Sequence, residues 1–162
     1  PDLYWFASDV VTNPVELTLT LEKGETPLLE KRLPVPLKAG IQRVRLSDYG
    51  VKLIPGERYN WSITLVLDPK RRSKDIIAVG TIERVQRTDM NPAFLAAAPT
   101  TDALYRFAAD GLWYDAVMVI SELIETTPAD MALRKHRAEL LDQVDLPEVG
   151  SFDLTIQDGK VG

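Results

Sequence analysis

The stretch that most constrains this chain spans residues 53–67, where apolar and polar side chains alternate from Tyr59 onward. Alternation with a period of two residues is typical of a β-strand that is buried on one face and exposed on the other. The residues predicted to face inward are Tyr59, Trp61, Ile63, Leu65 and Leu67, and those predicted to face outward are Asn60, Ser62, Thr64 and Val66. The pattern therefore predicts the central strand of a sheet.

The residues ahead of this strand have the pattern Leu-x-Pro-Gly-x-x-Tyr, which ends at Tyr59. Pro55 presets the backbone for the first central position of a tight turn, and Gly56 can adopt positive φ at the second. This spacing is that of a tyrosine corner, which closes one end of immunoglobulin-like and fibronectin-like sandwiches. We expect Tyr59 and Trp61 to be core residues of such a sandwich.

Five further segments have strand-like patterns bounded by glycine, proline or polar residues: residues 3–6, 15–21, 27–33, 40–46 and 76–85. Pro34 and Pro36 follow the third segment, and proline confines a strand to the edge of a sheet. Residues 68–75 form a polar loop between the central strand and the last segment. Short strands separated by turns predict an antiparallel β-sandwich.

From residue 88 the hydrophobic period changes to that of α-helices. A capping box is expected where Thr127 precedes Pro128, with Asp130 three residues after the cap. The predicted helices are residues 93–98, a second from Asp102 to the helix-ending Gly111, a third at residues 113–126 and a fourth after Thr127, with Leu133, Leu140, Leu141 and Val144 on its apolar side.

The helical pair around Gly111 resembles a single tetratricopeptide repeat. The matching residues are Phe107, Gly111, Trp113, Asp115, Ala116 and Val117, followed by Pro128-Ala-Asp130. The resemblance implies that Gly111 and a small residue, Ala116, let two helices approach closely. One repeat is too few for a free-standing solenoid, so we expect this hairpin, with Trp113 in its core, to lean on the sandwich.

Charge also divides the chain into two parts. Residues 1–87 carry 14 Lys and Arg against 11 Asp and Glu, whereas residues 88–162 carry 5 against 13. We therefore predict an α+β chain in which an immunoglobulin-like or fibronectin-like antiparallel β-sandwich precedes a repeat-like α-helical hairpin. The predicted parts are a sandwich domain at residues 1–87, a helical segment at 88–146 and a tail at 147–162.

The tail allows two interpretations. Phe152, Leu154 and Ile156 alternate with polar residues, so that the tail could add a strand to an exposed sheet edge. It could equally be loose, as chain ends often are.

Composition excludes several classes of function. A net charge of −5 disfavours nucleic acid as a partner, because duplexes bind through many cationic contacts. No apolar run approaches the roughly 20 residues of a membrane span. There is no cysteine, and His136 is the single histidine, so zinc sites and nucleophile–base pairs lack parts. We expect no catalytic residue, no metal and no cofactor.

His136 and the carboxylates have ordinary interpretations. His136 lies on the edge of its helix's apolar stripe, where a structural role is favoured over a catalytic one. The carboxylates near helix ends lack the spacing of a calcium loop or of a paired acid and base. This group consists of Asp110, Asp115, Asp142, Asp145 and Glu148. Solvated acidic surface is the favoured interpretation, and a hydrolase that uses carboxylates is the least favoured hypothesis.

A cluster of basic residues at the tip of the predicted hairpin, Lys70, Arg71, Arg72 and Lys74, allows two interpretations. It could bind an anion such as phosphate, an acidic glycan or an acidic protein surface. It could instead be a solvated loop in which Arg72 pairs with Asp68 or Asp75. Trp5 is the tryptophan with most freedom to stack on a sugar, since Trp61 and Trp113 lie on apolar faces.

Several motifs in order along the chain resemble a bacterial family catalogued as a domain of unknown function, number 928 in that series. They are the aromatic residues 3–6, Pro55-Gly-x-x-Tyr-x-Trp61, Asp68-Pro69 with Arg72-Ser73, Gly80-x-Ile-x-Arg84-Val85 and Gly111-Leu-Trp-Tyr-Asp-Ala116. The resemblance spans nearly the whole chain. It implies an exported envelope protein with a leader, hence a periplasmic or secreted location, and it brings no activity and no catalytic residue. Lys70 and Arg71 make the loop more basic than in the family, which argues against a shared function of that loop.

The sequence thus favours a non-enzymatic protein-interaction or structural module of the bacterial envelope. We expect it to bind another protein through an exposed strand edge, the helical face or the basic tip. The alternative is a domain that binds an anionic polymer or glycan through the basic tip and Trp5.

Overall fold

The computed structural model describes residues 1–86, 92–95, 97–157 and 160–161, and it confirms an α+β chain with antiparallel strand pairing. The chain divides into two compact units, one of Ala7–Thr88 and one of Pro1–Phe6 with Asp89–Gly162. These bounds differ from the predicted domains, because the first six residues group with the helices. In this second unit the rings of Phe6 and Phe152 meet edge to face with centroids 5.2 Å apart.

The described strands are β1 (Asp2–Ala7), β2 (Val15–Leu21), β3 (Pro27–Leu33), β4 (Gly40–Arg45), β5 (Arg58–Leu65), β6 (Ile76–Glu83), β7 (Ile156–Gln157) and β8 (Lys160–Val161). In the unit of residues 7–88, four of them form an antiparallel sheet in the order β3-β2-β5-β6. The edge position predicted for residues 27–33 is therefore confirmed for β3. The other edge strand is β6.

One face of this sheet is the core of the unit. Its buried side chains are Val15, Leu17, Leu19, Leu29, Leu33, Tyr59, Trp61, Ile63 and Ile82. Full burial of one such aliphatic side chain stabilises the fold by about 1.5–3 kcal/mol. The inward face that the period-2 pattern predicted for β5 is therefore confirmed from Tyr59 to Ile63.

The prediction is wrong at the end of this strand. Val66 is buried and Leu67 is exposed, the reverse of the expected phase. β5 ends at Leu65, and the Val66 backbone N–H donates to the Pro14 carbonyl at 2.9 Å. The alternation of sides stops where the ladder stops, so the next residue turns inward.

The helices are α1 (Pro92–Leu95), α2 (Thr101–Ala109), α3 (Trp113–Thr126), α4 (Met131–Asp142) and α5 (Pro147–Thr155). Each of α2 to α5 packs against the next along the chain. Of the expected helix at residues 93–98, the structure has a helix at Pro92–Leu95, and residue 96 lies outside the described residues.

The predicted cap of α4 is wrong. Asp130 is the N-cap, and its carboxylate accepts from the Ala132 N–H at 3.0 Å. Thr127 instead ends α3, where its hydroxyl donates to the Leu123 carbonyl at 2.8 Å. A carboxylate close to the first free N–H groups of a helix displaces a threonine three residues earlier.

The tail is a helix where a strand was one expectation. Pro147 opens α5, a favoured position because proline has no N–H to leave unpaired. Phe152 and Leu154 therefore lie on a helix, and strand pairing among the tail residues that the structure describes is between Ile156–Gln157 and Lys160–Val161. Val144 lies beyond the end of α4 and is exposed, so it does not continue the apolar side of that helix.

Within the residues that the structure describes, no helix combines the length and the apolar character that crossing a membrane requires.

Candidate protein-interaction edge

The outer strand of the sheet, β6, is the most exposed apolar segment of its unit. Ile76, Ile77 and Val79 are 58%, 60% and 78% exposed, and Ala78 is exposed as well. Side chains of successive strand residues point to opposite faces, so this strand is apolar and open on both faces. Because β6 is last in the sheet order, it pairs with β5 on one side only. We call residues 76–80 of β6 the open edge.

The opposite edge, β3, has features that protect sheet edges from unwanted pairing. Pro27 begins the strand, and Glu30, Lys31 and Arg32 occupy its middle and are exposed. Proline and charged residues are the common means by which proteins block edge-to-edge association. The open edge contains neither a proline nor a charged residue. In this sheet β3 therefore has the features of an edge that is blocked from pairing, and β6 has those of an edge that can pair. We call β3 the blocked edge.

A shallow groove of about 480 Å³ continues from the open edge across the outer face of the sheet. Apart from the outward Val79, its lining is made of short polar side chains and of parts of Trp61 and Gly80. These polar residues are Thr18, Thr20, Asn60, Ser62 and Thr81. They carry no net charge and offer hydroxyl and amide groups, so a chain added at β6 would border a neutral polar surface.

Gly80, the last residue of the open edge, lies directly under the indole of Trp61. The two residues are paired across the β5–β6 ladder. A Cβ atom built on Gly80 would be 2.6 Å from Cε2 and Cζ2 of Trp61, far inside van der Waals contact. Trp61 is therefore a core residue whose ring occupies the space that a side chain at residue 80 would need.

Tyr59 makes the contact that the Leu-x-Pro-Gly-x-x-Tyr spacing predicts. Its ring is 1% exposed, and its hydroxyl accepts from the Ile54 N–H at 2.9 Å. Pro55 and Gly56 form the turn, and Gly56 has a φ of 82°, which favours glycine. The phenol thus anchors the turn to the core from which β5 starts.

The end of β6 is tied to this same corner. Arg84 Nη1 donates to the Leu53 carbonyl at 2.8 Å, and the Gly56 N–H donates to the Arg84 carbonyl at 2.7 Å. The motif at residues 55–61 and the motif at residues 80–85 are therefore in contact, through the β5–β6 pairing and through the hydrogen bonds at the corner.

Two arginines of the basic tip form ion pairs with nearby carboxylates. Arg71 Nε is 2.7 Å from Asp68 Oδ2, while Arg72 is 2.6 Å from Asp75 Oδ2 and 2.7 Å from Glu16 Oε2. The hydrogen bond from Arg72 lowers the pKa of Glu16, and that from Arg71 lowers the pKa of Asp68. Two of the four cations are thus committed to carboxylates.

Lys70 and Lys74 are exposed at this tip, and the Lys70 backbone N–H donates to Asp68 Oδ1 at 2.9 Å. Trp5, the other residue proposed for ligand binding, belongs to the helical unit and is half-buried. Its Nε1 is buried and has no hydrogen-bond partner among the described residues. A half-buried indole offers less stacking surface than the free platform that the sequence allowed.

The helical residues singled out by the repeat-like pattern are packing residues. Gly111 has a φ of 71° after α2, and Ala116 is fully buried in α3. Trp113 Nε1 donates to the Leu140 carbonyl at 2.8 Å, which joins α3 to α4. His136 contacts the Tyr105 hydroxyl at 3.4 Å and Glu139 at 3.3 Å on the surface of the same unit.

Asp115, in the first turn of α3, is the carboxylate with the most unusual environment among those named from the sequence. Burial raises the pKa of its carboxyl. A raised pKa is one property of a general acid, but catalysis also requires a substrate position within hydrogen-bonding reach. The described residues contain no group of three or more potential metal ligands.

A buried ionic cluster in the helical unit was not found from the sequence. Arg137 donates to Asp153 Oδ2 from Nε at 2.8 Å and to Oδ1 from Nη2 at 2.6 Å, and Arg134 Nη1 is 3.3 Å from Oδ1. Ser121 accepts from Arg137 Nη1 at 3.1 Å. All four residues are buried. The one sequence signal is that two arginines, three residues apart, border the leucines of α4.

The family model described as Domain of Unknown Function (DUF928) matches residues 1–154. A search of curated proteins finds no match.

Proposed function

The chain belongs to the DUF928 family, whose description assigns no activity, and from that premise we propose that it is a non-enzymatic protein-interaction module of the bacterial envelope. Its interaction surface in this proposal is the open edge of β6. The observation that carries the proposal is the exposure of Ile76, Ile77 and Val79 in a segment of an edge strand, residues 76–80, that contains no charged residue and no proline.

The mechanism is strand addition. An edge strand presents a row of backbone N–H and C=O groups that an incoming extended segment can pair with. Those hydrogen bonds give affinity for any strand, and the side chains on alternate positions select among strands. Here the selection is for apolar residues, because both faces of the open edge are apolar and exposed. Water leaves this surface on pairing, which contributes about 25 cal/mol per Å² of apolar area.

The frame around this edge is proposed to be an immunoglobulin-like or fibronectin-like sandwich. The buried Tyr59 and its hydrogen bond to the turn support that proposal. The helical unit is proposed to be related to a tetratricopeptide repeat, supported by the positive φ of Gly111 and the burial of Ala116.

The proposal is tested by capture with a matched pair of variants. Val79→Lys places a charge in the open edge, and Leu28→Lys places one at an exposed position of the blocked edge. Tagged wild type and variants are incubated with envelope extract of the encoding bacterium and analysed by quantitative mass spectrometry. We expect Val79→Lys to lose partners at least about tenfold and Leu28→Lys to keep them.

Equal recovery by all three proteins would contradict the interaction edge, whatever partners the wild type captures. The envelope location is checked in the same bacterium by cell fractionation. We expect the protein in the periplasmic, membrane or secreted fraction, and recovery from the cytoplasm would contradict the location but not the interaction.

The alternative, binding of an anionic polymer or glycan at the basic tip, has less support because Arg71 and Arg72 are paired with carboxylates. It depends on Lys70 and Lys74. Binding to polyphosphate, measured by fluorescence anisotropy at low and high salt, should then be salt-sensitive and should disappear in Lys70→Ser/Lys74→Ser. Polyphosphate binding that is unchanged in this double variant would remove the tip as the site.

A further inference from the structure

We infer that the strand which β6 accepts is β6 of a second copy of this chain, in a symmetric antiparallel pair. This inference rests on the proposed function, because it names the partner of the same open edge. The result would be one continuous antiparallel sheet formed by two copies of the four-stranded sheet.

The side chains of the open edge limit which strands can pair with it. Ile76 and Ala78 lie on one face and Ile77 and Val79 on the other, and all four are exposed. A partner must therefore bring apolar side chains on both faces and no charge, since a charged group buried against them would lose its hydration. β6 itself meets this demand. β3 does not, because Glu30, Lys31 and Arg32 would meet these apolar residues.

Symmetry is the second limit on the pairing. Two identical strands pair antiparallel about a two-fold axis, and the interface then consists of the same residues on both copies. With the axis at Ala78, Ile77 faces Val79 of the partner on the outer face. On the inner face Ile76 faces Gly80 of the partner, where the apolar indole of Trp61 covers the glycine. Asp75 then faces Thr81, so no two like charges are opposite each other.

The neighbouring symmetric registers are less favourable. With the axis at Ile77, Asp75 of one copy would face Val79 of the other and place a charge against an apolar side chain. With the axis at Val79, Asp75 of one copy would face Glu83 of the other, and like charges directly opposite are destabilising. With the axis at Gly80, Ile77 would face Glu83 and an apolar side chain would lose an apolar neighbour. The axis at Ala78 is therefore the register that matches both faces.

The first measurement is the oligomeric state of the full chain. A strand pair alone buries less than the roughly 800 Å² per partner of a standard interface, so we expect association that depends on concentration. Sedimentation velocity from about 1 μM to about 500 μM should show a shift toward twice the chain mass of 18.1 kDa. Val79→Lys and Ile77→Lys should remain monomeric, whereas Leu28→Lys should associate like the wild type.

The second measurement tests the register. The chain has no cysteine, so Ala78→Cys introduces a single thiol at the two-fold axis. Opposite residues of an antiparallel pair have Cα atoms about 4.5–5.5 Å apart, which a disulfide can bridge. Mild oxidation at a concentration that populates the dimer should link most Ala78→Cys chains. Leu28→Cys, at an exposed position on the blocked edge, should remain largely unlinked.

The outcomes separate the two proposals. Wild type that stays monomeric at all concentrations, or Ala78→Cys that links no more than Leu28→Cys, overturns self-pairing. The proposed function survives that result if capture of other proteins still depends on Val79. Conversely, a dimer that forms while envelope capture is unaffected by Val79→Lys supports self-pairing and contradicts the wider interaction role. Circular dichroism of each variant verifies that it is folded.

Discussion

Asp153→Ala is expected to lower the free energy of unfolding of the helical unit by about 3–5 kcal/mol, because it leaves buried arginines without their carboxylate. Arg137 makes a two-pronged contact with Asp153, and Arg134 adds a third hydrogen bond to the same group. The carboxylate is 1% exposed, so water cannot replace it without opening the packing of α5 on α4. Urea unfolding followed by far-ultraviolet circular dichroism at 222 nm measures the loss.

Two controls accompany this prediction. Asp142→Ala removes an exposed carboxylate at the end of α4 and should change stability by no more than about 0.5 kcal/mol. The combined variant Asp153→Leu/Arg137→Met/Arg134→Leu removes the whole cluster and should recover most of the loss, since apolar replacement of a buried ionic group is often neutral. A loss below about 0.5 kcal/mol for Asp153→Ala would mean that water reaches the cluster and hydrates the arginines.

Gly80→Ala is expected to destabilise the sheet by about 1–3 kcal/mol through steric conflict with Trp61. Alanine in place of glycine at a compatible position normally stabilises by about 0.4–1 kcal/mol, because the unfolded chain becomes less free. The 2.6 Å approach of the added Cβ to the indole decides the sign here. Equilibrium unfolding in urea, compared with wild type, measures it.

The double variant with Trp61→Leu identifies the cause. Trp61→Leu alone loses packing, but in its presence Gly80→Ala should become neutral or stabilising, so the two changes should not add. Additive losses would assign the effect to the strand backbone instead of the indole. An increase in stability for Gly80→Ala alone would show that the ring moves aside at little cost.

Tyr59 and Gly80 show which parts of the fold could be predicted from the sequence. The Tyr59 corner could be predicted because Pro55, Gly56 and Tyr59 lie within five residues, and turn chemistry and strand period act locally. The close approach of Gly80 to Trp61 could not, because it depends on the register of two strands joined by a loop. At the basic tip the sequence left two interpretations open, and the distances from Arg71 and Arg72 to nearby carboxylates favour the solvated, self-paired loop.

The predictions that failed lie at element ends and in the tail. Val66 reversed its expected side because the strand ends at Leu65, two residues earlier than the end of the alternating pattern at Leu67. In the tail, alternation over Phe152, Leu154 and Ile156 is too short to distinguish a strand from a helix that begins at Pro147. The contact that holds this helix, between Asp153 and Arg137, joins residues 16 positions apart.

The sequence alone determined the α+β class, the central strand and the corner at Tyr59. Hydrophobic periodicity and turn residues act between residues that are close in the sequence, so they can be recognised without knowing the fold. Tertiary structure alone decided that residues 76–80 are an open edge and not a buried strand. An apolar run has the same pattern in both positions, and only the order of strands in the sheet determines which one is left without a neighbour.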